Sequence, residues 1–279
     1  CMGFGCNAAG VIGCRIIDSP RERLIAILTN NFAPCNGRFP TLISILTMFF
    51  LGSAAGLSQS LLSALLLTLT ILLGLGMTFL VSRLLSATVL KGIPSSFTLE
   101  LPPYRRPQLG KVLVRSVFDR TLFVLGRAIT VAAPAGILLW VMANIGVNGQ
   151  SLLAWASGFL DPLGRFMGLD GVILIAFILG FPANEIVIPI IIMAYLANGS
   201  LIEMNSLSAM KDLFLAQGWT LTTAVCTLIF VLFHWPCSTT CLTIYKETKS
   251  LKWTLAAIAI PTVCGILCCS AAAFVLRLF

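Results

Sequence analysis

Charged residues are scarce in this chain, and the local signature of a nucleotide site is missing. Only 10% of the 279 residues are charged, whereas 58% are apolar; a soluble globular chain carries about 25% charged residues. This composition excludes an ordinary water-soluble domain. No Gly-x-x-x-x-Gly-Lys-[Ser/Thr] stretch occurs, and its nearest fragment, Gly110-Lys111-Val112, lacks the hydroxyl. The chain therefore cannot bind a nucleotide by that route.

Histidine is nearly absent, and no two acids are placed for proton transfer. His234 is the only histidine, and neither a paired-histidine motif nor Gly-x-Ser-x-Gly occurs. We therefore predict that this portion is not an enzyme. His234 stands three residues before Cys237, so the two side chains could chelate a metal across a proline break. A lone histidine on an apolar face is more often a hydrogen-bonded core residue, which we favour.

Long apolar runs replace the missing charge. Roughly 20 apolar residues span a bilayer as a helix, and the runs are continuous rather than alternating, which excludes a membrane barrel of strands. The candidate spans are 41–56, 60–82, 121–147, 171–197, 219–235 and 253–276. We predict an all-α integral membrane protein, a polytopic helical bundle of about 6–7 spans.

The net charge of +8 does not indicate a nucleic-acid partner, because most basic residues fall in three short stretches, 15–38, 83–127 and 246–252. Such clusters mark cytoplasmic loops of membrane proteins. The stretch 148–218 is poor in bases, so we expect it to be largely external. That topology leaves two alternatives: either 151–168 also crosses the membrane, or 171–197 is re-entrant.

Two cysteines stand where Gly or Pro interrupts an apolar stretch. Cys6 follows a glycine-rich run, Cys237 follows a proline, and each is followed nine residues later by a base, Arg15 or Lys246. A helix broken inside a bilayer frees backbone carbonyls, which are tolerated only where they line a cavity or are buried in protein. Two such breaks in related positions, each carrying a thiol, predict a transport path with soft ligands.

A third break, Gly180 through Glu185, interrupts the run 171–197. Glu185 is the only acid in that run, and a charge at mid-membrane costs at least about 2.5 kcal/mol. Such residues usually face a cavity or a partner, so we favour a functional role. The alternative is a protonated glutamate that is hydrogen-bonded to a neighbouring helix.

These breaks place soft and hard ligands together. Thiol, carboxylate and amide groups suit a borderline divalent cation such as Fe²⁺, whereas Na⁺ or Mg²⁺ sites would use oxygens without thiols. The predicted metal ligands are Cys6, Asn7, Asn184, Glu185 and Cys237.

A further prediction concerns residues 19–30. Ser19 is a plausible N-cap and Pro20 suits the first turn of a helix. Leu24, Ile25, Ile27 and Leu28 give the helix an apolar face, while the charged residues Arg21, Glu22 and Arg23 face water. We expect this helix to lie on the cytoplasmic membrane surface.

Together these motifs resemble the membrane part of the FeoB family, the ferrous iron transport protein B. The resemblance rests on five motifs in order: Gly3-Phe4-Gly5-Cys6-Asn7; Cys35, Arg38 and Pro40; Glu100-Leu101-Pro102-Pro103-Tyr104-Arg105; Gly180 through Glu185; and Pro236-Cys237 followed by Lys246-Glu247-Thr248. It implies two gate regions with interrupted helices, which form pseudo-symmetric halves. The first gate region is 1–90, incomplete at its N-terminus and including a membrane hairpin. A cytoplasmic Pro-rich link with an amphipathic helix follows at 91–120, and the second gate region with the final membrane helices is 121–279.

The resemblance also implies a function and partners. Fe²⁺ would pass between the gates into the cytoplasm of a bacterium, across its inner membrane, with no cofactor bound in this portion. A GTPase domain with GTP and Mg²⁺ and a first membrane helix are expected upstream. A small cytoplasmic accessory protein and a homo-oligomer are further expected partners. Two alternatives stay open: a gate-fold transporter of nucleosides or another small solute, and a membrane scaffold that transports nothing.

Overall fold

The computed structural model describes residues 2–51, 57–92, 123–147, 150–196 and 206–278, together with positions 108, 110 and 114. In these ranges the chain is helical apart from loops and one antiparallel pairing of Gly146–Val147 with Gln150–Ser151. The predicted all-α membrane fold is confirmed. Most of the predicted link at 91–120 lies outside the described residues.

The helices follow one another with short interruptions. They are α1 Met2–Gly5, α2 Asn7–Gly13, α3 Pro20–Thr29, α4 Phe39–Leu46, α5 Leu57–Ala87, α6 Phe123–Asn144, α7 Leu152–Phe166, α8 Gly171–Leu179, α9 Val187–Leu196, α10 Leu207–Ala216, α11 Leu221–Phe233, α12 Ser238–Thr248 and α13 Leu251–Leu278. Single 3₁₀ turns occur at Cys14–Ile16, Asn30–Phe32, Asn36–Arg38 and Asn184–Ile186, and Thr47–Leu51 is π-helical.

Burial separates the lipid-facing helices from the central ones. Only 11% of the apolar stretch of α5 and 22% of that of α13 is buried, against 67% for the stretch Leu221–Thr248 that contains α11 and α12. Large apolar side chains such as Phe79 on α5 and Phe274 on α13 are exposed. We conclude that α5 and α13 face lipid and that α11 and α12 form the centre.

Three stretches of the described chain are long and apolar enough to cross a membrane, and a fourth qualifies if α7 and α8 are counted as one bent crossing. The predicted total of about six to seven spans stays a prediction.

The crossing that contains α11 continues beyond its predicted end. The sequence predicts a span at 219–235, but the chain breaks at His234–Cys237 and resumes as α12 to Thr248. Pro236 has no N–H and restricts the residue before it, which ends α11. Helix α12 is too polar to be recognised as part of an apolar run. Its serine and threonine side chains are tolerated there because they are packed inside the protein.

The described part of the run 171–197, Gly171–Leu196, forms a helical hairpin. Helices α8 and α9 pack against each other, and their open ends are joined because the Tyr195 hydroxyl donates to the Asp170 carboxylate. Trp219 Nε1 donates in turn to the Tyr195 hydroxyl at 2.7 Å. Both ends of the helix pair therefore lie together, as the re-entrant alternative requires, and a membrane crossing by 151–168 stays the other prediction.

The helix predicted at 19–30 begins as expected, and its C-terminal end is buried in the protein. Ser19 Oγ accepts from Glu22 N at 3.4 Å and Pro20 opens α3. At the other end Leu28 is fully buried, and Asn30 Nδ2 donates at 2.9 Å to the Asn7 carbonyl beside the first break. The C-terminal end of α3 is thus packed inside the protein next to the first break, and the predicted surface location of the helix stays a prediction.

Helix α4 continues this path on the other side of the break. It starts next to Asn36–Arg38, and Phe49 at its far end stacks on Trp219, just before α11, with ring centroids 5.7 Å apart. The chain from α3 to Leu51 is thus a series of helices interrupted at Asn30–Arg38. Of the predicted span at 41–56, residues 52–56 lie outside the described part of the chain, and the span stays a prediction.

Candidate functional site

Two of the predicted breaks contact each other directly. Ser238 N donates to the Phe181 carbonyl at 2.9 Å, and Ser238 Oγ donates to the Pro182 carbonyl at 3.5 Å. The break of the hairpin and the break of the central crossing therefore satisfy each other's backbone groups, as a membrane interior requires. The contact fixes Asn184 and Cys237 on neighbouring turns of chain.

Five buried polar side chains connect these breaks with the first one, and we call them the polar seam. They are Asn7, Asn31, Arg38, His234 and Asn184, none of them more than 8% exposed. Asn31 Nδ2 donates to the His234 carbonyl at 2.7 Å, and His234 Nε2 lies 3.3 Å from Asn184 Oδ1.

The Asn7 carboxamide closes the seam at the first break. In one orientation it donates to Asn31 Oδ1 at 3.2 Å. In the other it donates to the carbonyls of Gly3 at 3.1 Å and Ala33 at 3.2 Å. In both orientations it links the first break to the turn that precedes α4.

Arg38 lies at the centre of the seam and is fully buried. Its Nη1 donates to the carbonyls of Asn31 and Leu232, each at 2.9 Å. Its Nη2 donates to Asn31 Oδ1 at 3.0 Å and to the carbonyls of His234 at 3.2 Å and Trp235 at 3.4 Å. The guanidinium thus covers the carbonyls that the end of α11 leaves free, where a cation is favoured by the helix dipole.

His234 is a buried, hydrogen-bonded residue, as the sequence interpretation favoured. Its Nδ1 lies 2.9 Å from the Val231 carbonyl and 3.1 Å from that of Phe230. One nitrogen of a neutral ring donates and the other accepts, so the tautomer sets which of these bonds His234 donates.

The five predicted metal ligands divide between the seam and its exposed borders. Asn7 and Asn184 are buried seam members. Cys6, just before Asn7, and Glu185, just after Asn184, are exposed. Cys237 is half-buried at the start of α12, and its Sγ lies 3.3 Å from Thr240 Oγ1. Glu185 has no hydrogen-bond partner among the described residues, so the bonded, purely structural alternative is not observed.

No three His, Cys, Asp or Glu side chains in the described part of the chain converge on a point that could hold a metal. The predicted ligands therefore do not form a preassembled metal centre of the closed kind. They are distributed over separate breaks that share one polar seam.

Sequence reasoning missed Asn31 and assigned no role to Arg38. Their partners lie about 200 positions away, so no local pattern could pair them. The signal that was available is an arginine two residues before Pro40 at the start of an apolar run, and a neighbouring Asn30-Asn31 pair. Charged residues at such positions usually have a buried partner.

The cysteine repeat corresponds to two helices packed side by side. Helix α2 begins after Cys6, α12 begins after Cys237, and the two helices are in contact. At their far ends Arg15 pairs with Glu247 through Nε–Oε2 at 2.8 Å and Nη2–Oε1 at 2.6 Å. The hydrogen bond and charge of Glu247 raise the pKa of Arg15. The base of one repeat therefore binds the acid of the other.

A cavity of about 490 Å³ lies beside the first break. Its walls come from α1, α2, α3 and α5 and include Gly3, Gly10, Cys14, Glu22 and Asn30. The cavity reaches from the break toward the start of α3.

The fold defines a class: a polytopic helical membrane protein whose interrupted helices meet at a buried polar seam. Two family profiles match the chain, "Gate: Nucleoside recognition" over residues 125–251 and "Ferrous iron transport protein B C terminus" over residues 67–119. No solved structure matches it significantly.

Curated relatives extend this match to nearly the whole chain. It is 31% identical over 281 residues to the Fe(2+) transporter FeoB of Staphylococcus aureus strain COL, which covers 94% of this chain and 38% of that protein. The Fe(2+) transporters FeoB of Synechocystis (29% identity, 94% and 40% covered) and Methanocaldococcus jannaschii (28%, 92% and 38%) are also similar. The chain thus spans about two fifths of these relatives' length. The resemblance to the FeoB family is confirmed, and the chain corresponds to its C-terminal membrane portion.

Proposed function

We propose that this chain is the permease portion of a ferrous iron uptake system and carries Fe²⁺ across the membrane into the cytoplasm. The observation that carries the proposal is the meeting of ligand-bearing helix breaks at one buried seam, with Ser238 bonded to Phe181 and Asn184 beside His234. Interrupted helices with polar ends are the usual place of substrate sites in transporters. The similarity to relatives named as Fe(2+) transporters supports the choice of cargo.

The proposed ion path uses the ligands at the borders of the seam. Fe²⁺ would exchange waters for the thiols of Cys6 and Cys237 and the carboxylate of Glu185, with the amides of Asn7 and Asn184 in support. Because these groups do not converge on one point, each would hold the ion only weakly. Weak, successive sites suit transport, since an ion must leave as readily as it binds.

The partners follow from the same proposal. An upstream GTPase domain that binds GTP and Mg²⁺ would bias the gates, and this membrane portion would have no enzymatic activity of its own. Coupling would reach the gates through α3 or the segment 91–110. A small cytoplasmic accessory protein and a homo-oligomer complete the proposed assembly, in the bacterial inner membrane.

The test is anaerobic Fe²⁺ uptake by cells that express the full-length protein at equal membrane levels. We expect Cys237→Ala to lower uptake at least tenfold, because it removes a soft ligand at the seam. Cys226→Ala is the matched control. Cys226 is also a free cysteine of the central crossing, but it lies within α11, away from the break, and is buried against Cys269 of α13. Equal uptake by the two variants would remove Cys237 from the path.

A nucleoside or another small solute is the second candidate, and the name of the profile that matches residues 125–251 favours it. Its thiols would only pack, so Cys6→Ser and Cys237→Ser would leave transport intact. Competition of excess uridine with Fe²⁺ uptake, or uptake of labelled uridine itself, would support this candidate. Iron uptake that is indifferent to nucleosides would exclude it.

A further inference from the structure

The charge on Arg38 has no acidic partner in the part of the chain that the structure describes. The guanidinium is fully buried, and every acceptor that it meets is a neutral oxygen. Its Nε has no hydrogen-bond partner among the described residues. Among the described residues, the ionisable groups that interact appreciably with it are the thiols of Cys35 and Cys237 and the neighbouring His234. A buried charge without a counter-ion is costly, so the oxygens around it must compensate.

Those oxygens have the composition of a site for a hard cation. They are the carbonyls of Asn31, Leu232, His234 and Trp235 and the side-chain oxygen of Asn31, with no sulfur or nitrogen among them. Three of them come from the broken end of α11, which also carries the negative end of the helix dipole. Unwound carbonyls at half-helix C-termini are where other transporters coordinate Na⁺.

We propose that Arg38 occupies an alkali-cation site as a tethered cation. Its two terminal nitrogens hold the oxygens that a bound Na⁺ would otherwise hold, and the charge stays in place through the whole transport cycle. The protein therefore needs no Na⁺ to keep its central break in shape. Removal of the guanidinium opens the site to Na⁺ from solution.

The geometry favours a fixed cation over a mobile one. The Asn31 side chain accepts a hydrogen bond from Arg38 and also donates one to the His234 carbonyl. It therefore holds one of the oxygens around the guanidinium in place. The planar guanidinium contacts several carbonyls at once, which a compact ammonium on a lysine cannot do. This inference does not rest on the nature of the cargo, because the site lies on carbonyls and not on the proposed iron ligands.

The experiment uses the full-length protein purified in detergent, with wild type, Arg38→Met and Arg38→Gln compared in NaCl and in choline chloride. We expect the melting temperature of both variants to rise with Na⁺ in a saturable way, by about 2–4 °C. Both should bind ²²Na⁺ with a stoichiometry near one, and wild type should show neither effect. Arg21→Met is the matched control, because Arg21 also donates to a helix-end carbonyl, that of Leu90, but on α3 and away from the breaks.

Several outcomes would overturn the proposal. Variants that fold equally well in both salts and bind no ²²Na⁺ contradict it, as does Na⁺-dependent stability in wild type or in Arg21→Met. Should Arg38→Met fail to fold, Arg38→Gln decides, since its amide keeps one donor to the carbonyls. Failure of both variants to fold even in NaCl also contradicts it, because Na⁺ should replace the lost charge. None of these readouts requires Fe²⁺ transport, so the two proposals fail separately.

Discussion

Asp170 is a single residue on which the shape of the hairpin of α8 and α9 depends. Its Oδ1 accepts from Ile173 N at 2.6 Å at the start of α8, and its second oxygen accepts from the Tyr195 hydroxyl at the end of α9. Burial is the largest influence and raises the pKa of this carboxyl, while the bonds from Tyr195 and Ile173 oppose that rise only in part. The protonated form is therefore favoured by folding.

The raised pKa predicts a pH dependence of stability at this residue. The unfolded carboxyl has a pKa of about 3.9, so its stabilising contribution is present below that pH and is lost as the pH rises through the higher folded pKa. Asp170→Asn keeps a cap and an acceptor for Tyr195 but cannot ionise. We expect the melting temperature of wild type, relative to Asp170→Asn, to fall as the pH is raised from 3.5 to 7. The exposed Asp18→Asn serves as control, and parallel profiles for wild type and Asp170→Asn would contradict the argument.

At this scale the sequence located the breaks but not their partners. Glycine and proline act locally, so the interruptions at Cys6, Gly180–Glu185 and Pro236 could be read directly from neighbouring residues. The bonds of Arg38 depend on carbonyls about 200 positions away, and a carbonyl carries no side-chain signature. The proposed ligand roles of Cys6, Glu185 and Cys237 stay predictions for the uptake assay.

Among the helices, the close contact of α7 with α8 depends on a glycine. The two helices meet at a bend of 111°. A Cβ added at Gly171 would lie 1.9 Å from the Ser157 carbonyl, and backbone cannot yield as a flexible side chain can. The position therefore requires glycine for close approach rather than for its torsion angles.

We expect Gly171→Ala to lower the free energy of unfolding by about 1–3 kcal/mol, as overpacking does. The melting temperature in detergent measures the change. Gly158→Ala is the matched control on α7, because a Cβ there meets nothing within 4 Å. It should be neutral or slightly stabilising, since alanine is favoured over glycine inside a helix. Equal effects of the two substitutions would show that α7 and α8 do not pack in this way.

At the scale of the helices, the sequence predicted where a helix begins better than where the helix packs. Ser19 and Pro20 correctly indicated the beginning of α3, because helix caps depend on neighbouring residues. The burial of α3 depends on contacts with α2 and on the hydrogen bond from Asn30 to the Asn7 carbonyl. The run 171–197 has the composition of one crossing, and only the contact of Asp170 with Tyr195 reveals a hairpin. An apolar composition indicates that a segment is buried, but it does not show whether the chain continues through the membrane or turns back.

Over the whole molecule, the ion pair of Arg15 with Glu247 joins the two regions that the sequence predicts to be related. Arg15 ends the segment that starts at Cys6, and Glu247 ends the segment that starts at Cys237. The arginine side chain is 66% exposed, and such pairs add little to stability because solvent screens them. Its effect is therefore expected on the relative movement of α2 and α12 rather than on folding.

A charge exchange tests this connection. Arg15→Glu should lower Fe²⁺ uptake severalfold at unchanged melting temperature, because two acids then face each other across the α2–α12 contact. The double variant Arg15→Glu with Glu247→Arg should restore uptake to near the wild-type rate, and high salt should weaken the difference. Arg277→Glu, on the lipid-facing α13, provides the control. A double variant as impaired as the single one would show that the pair has no role in transport.

The bond from Ser238 to the Phe181 carbonyl also sets an order for biosynthesis. The ribosome makes Phe181 57 residues before it makes Ser238, so the hairpin reaches the membrane with an interrupted backbone that lacks its later donor. Hydrocarbon penalises an unpaired carbonyl by several kcal/mol. We therefore expect the hairpin to wait at the membrane surface or in the insertion machinery until α11 and α12 arrive, and to enter the bilayer only as part of a finished protein.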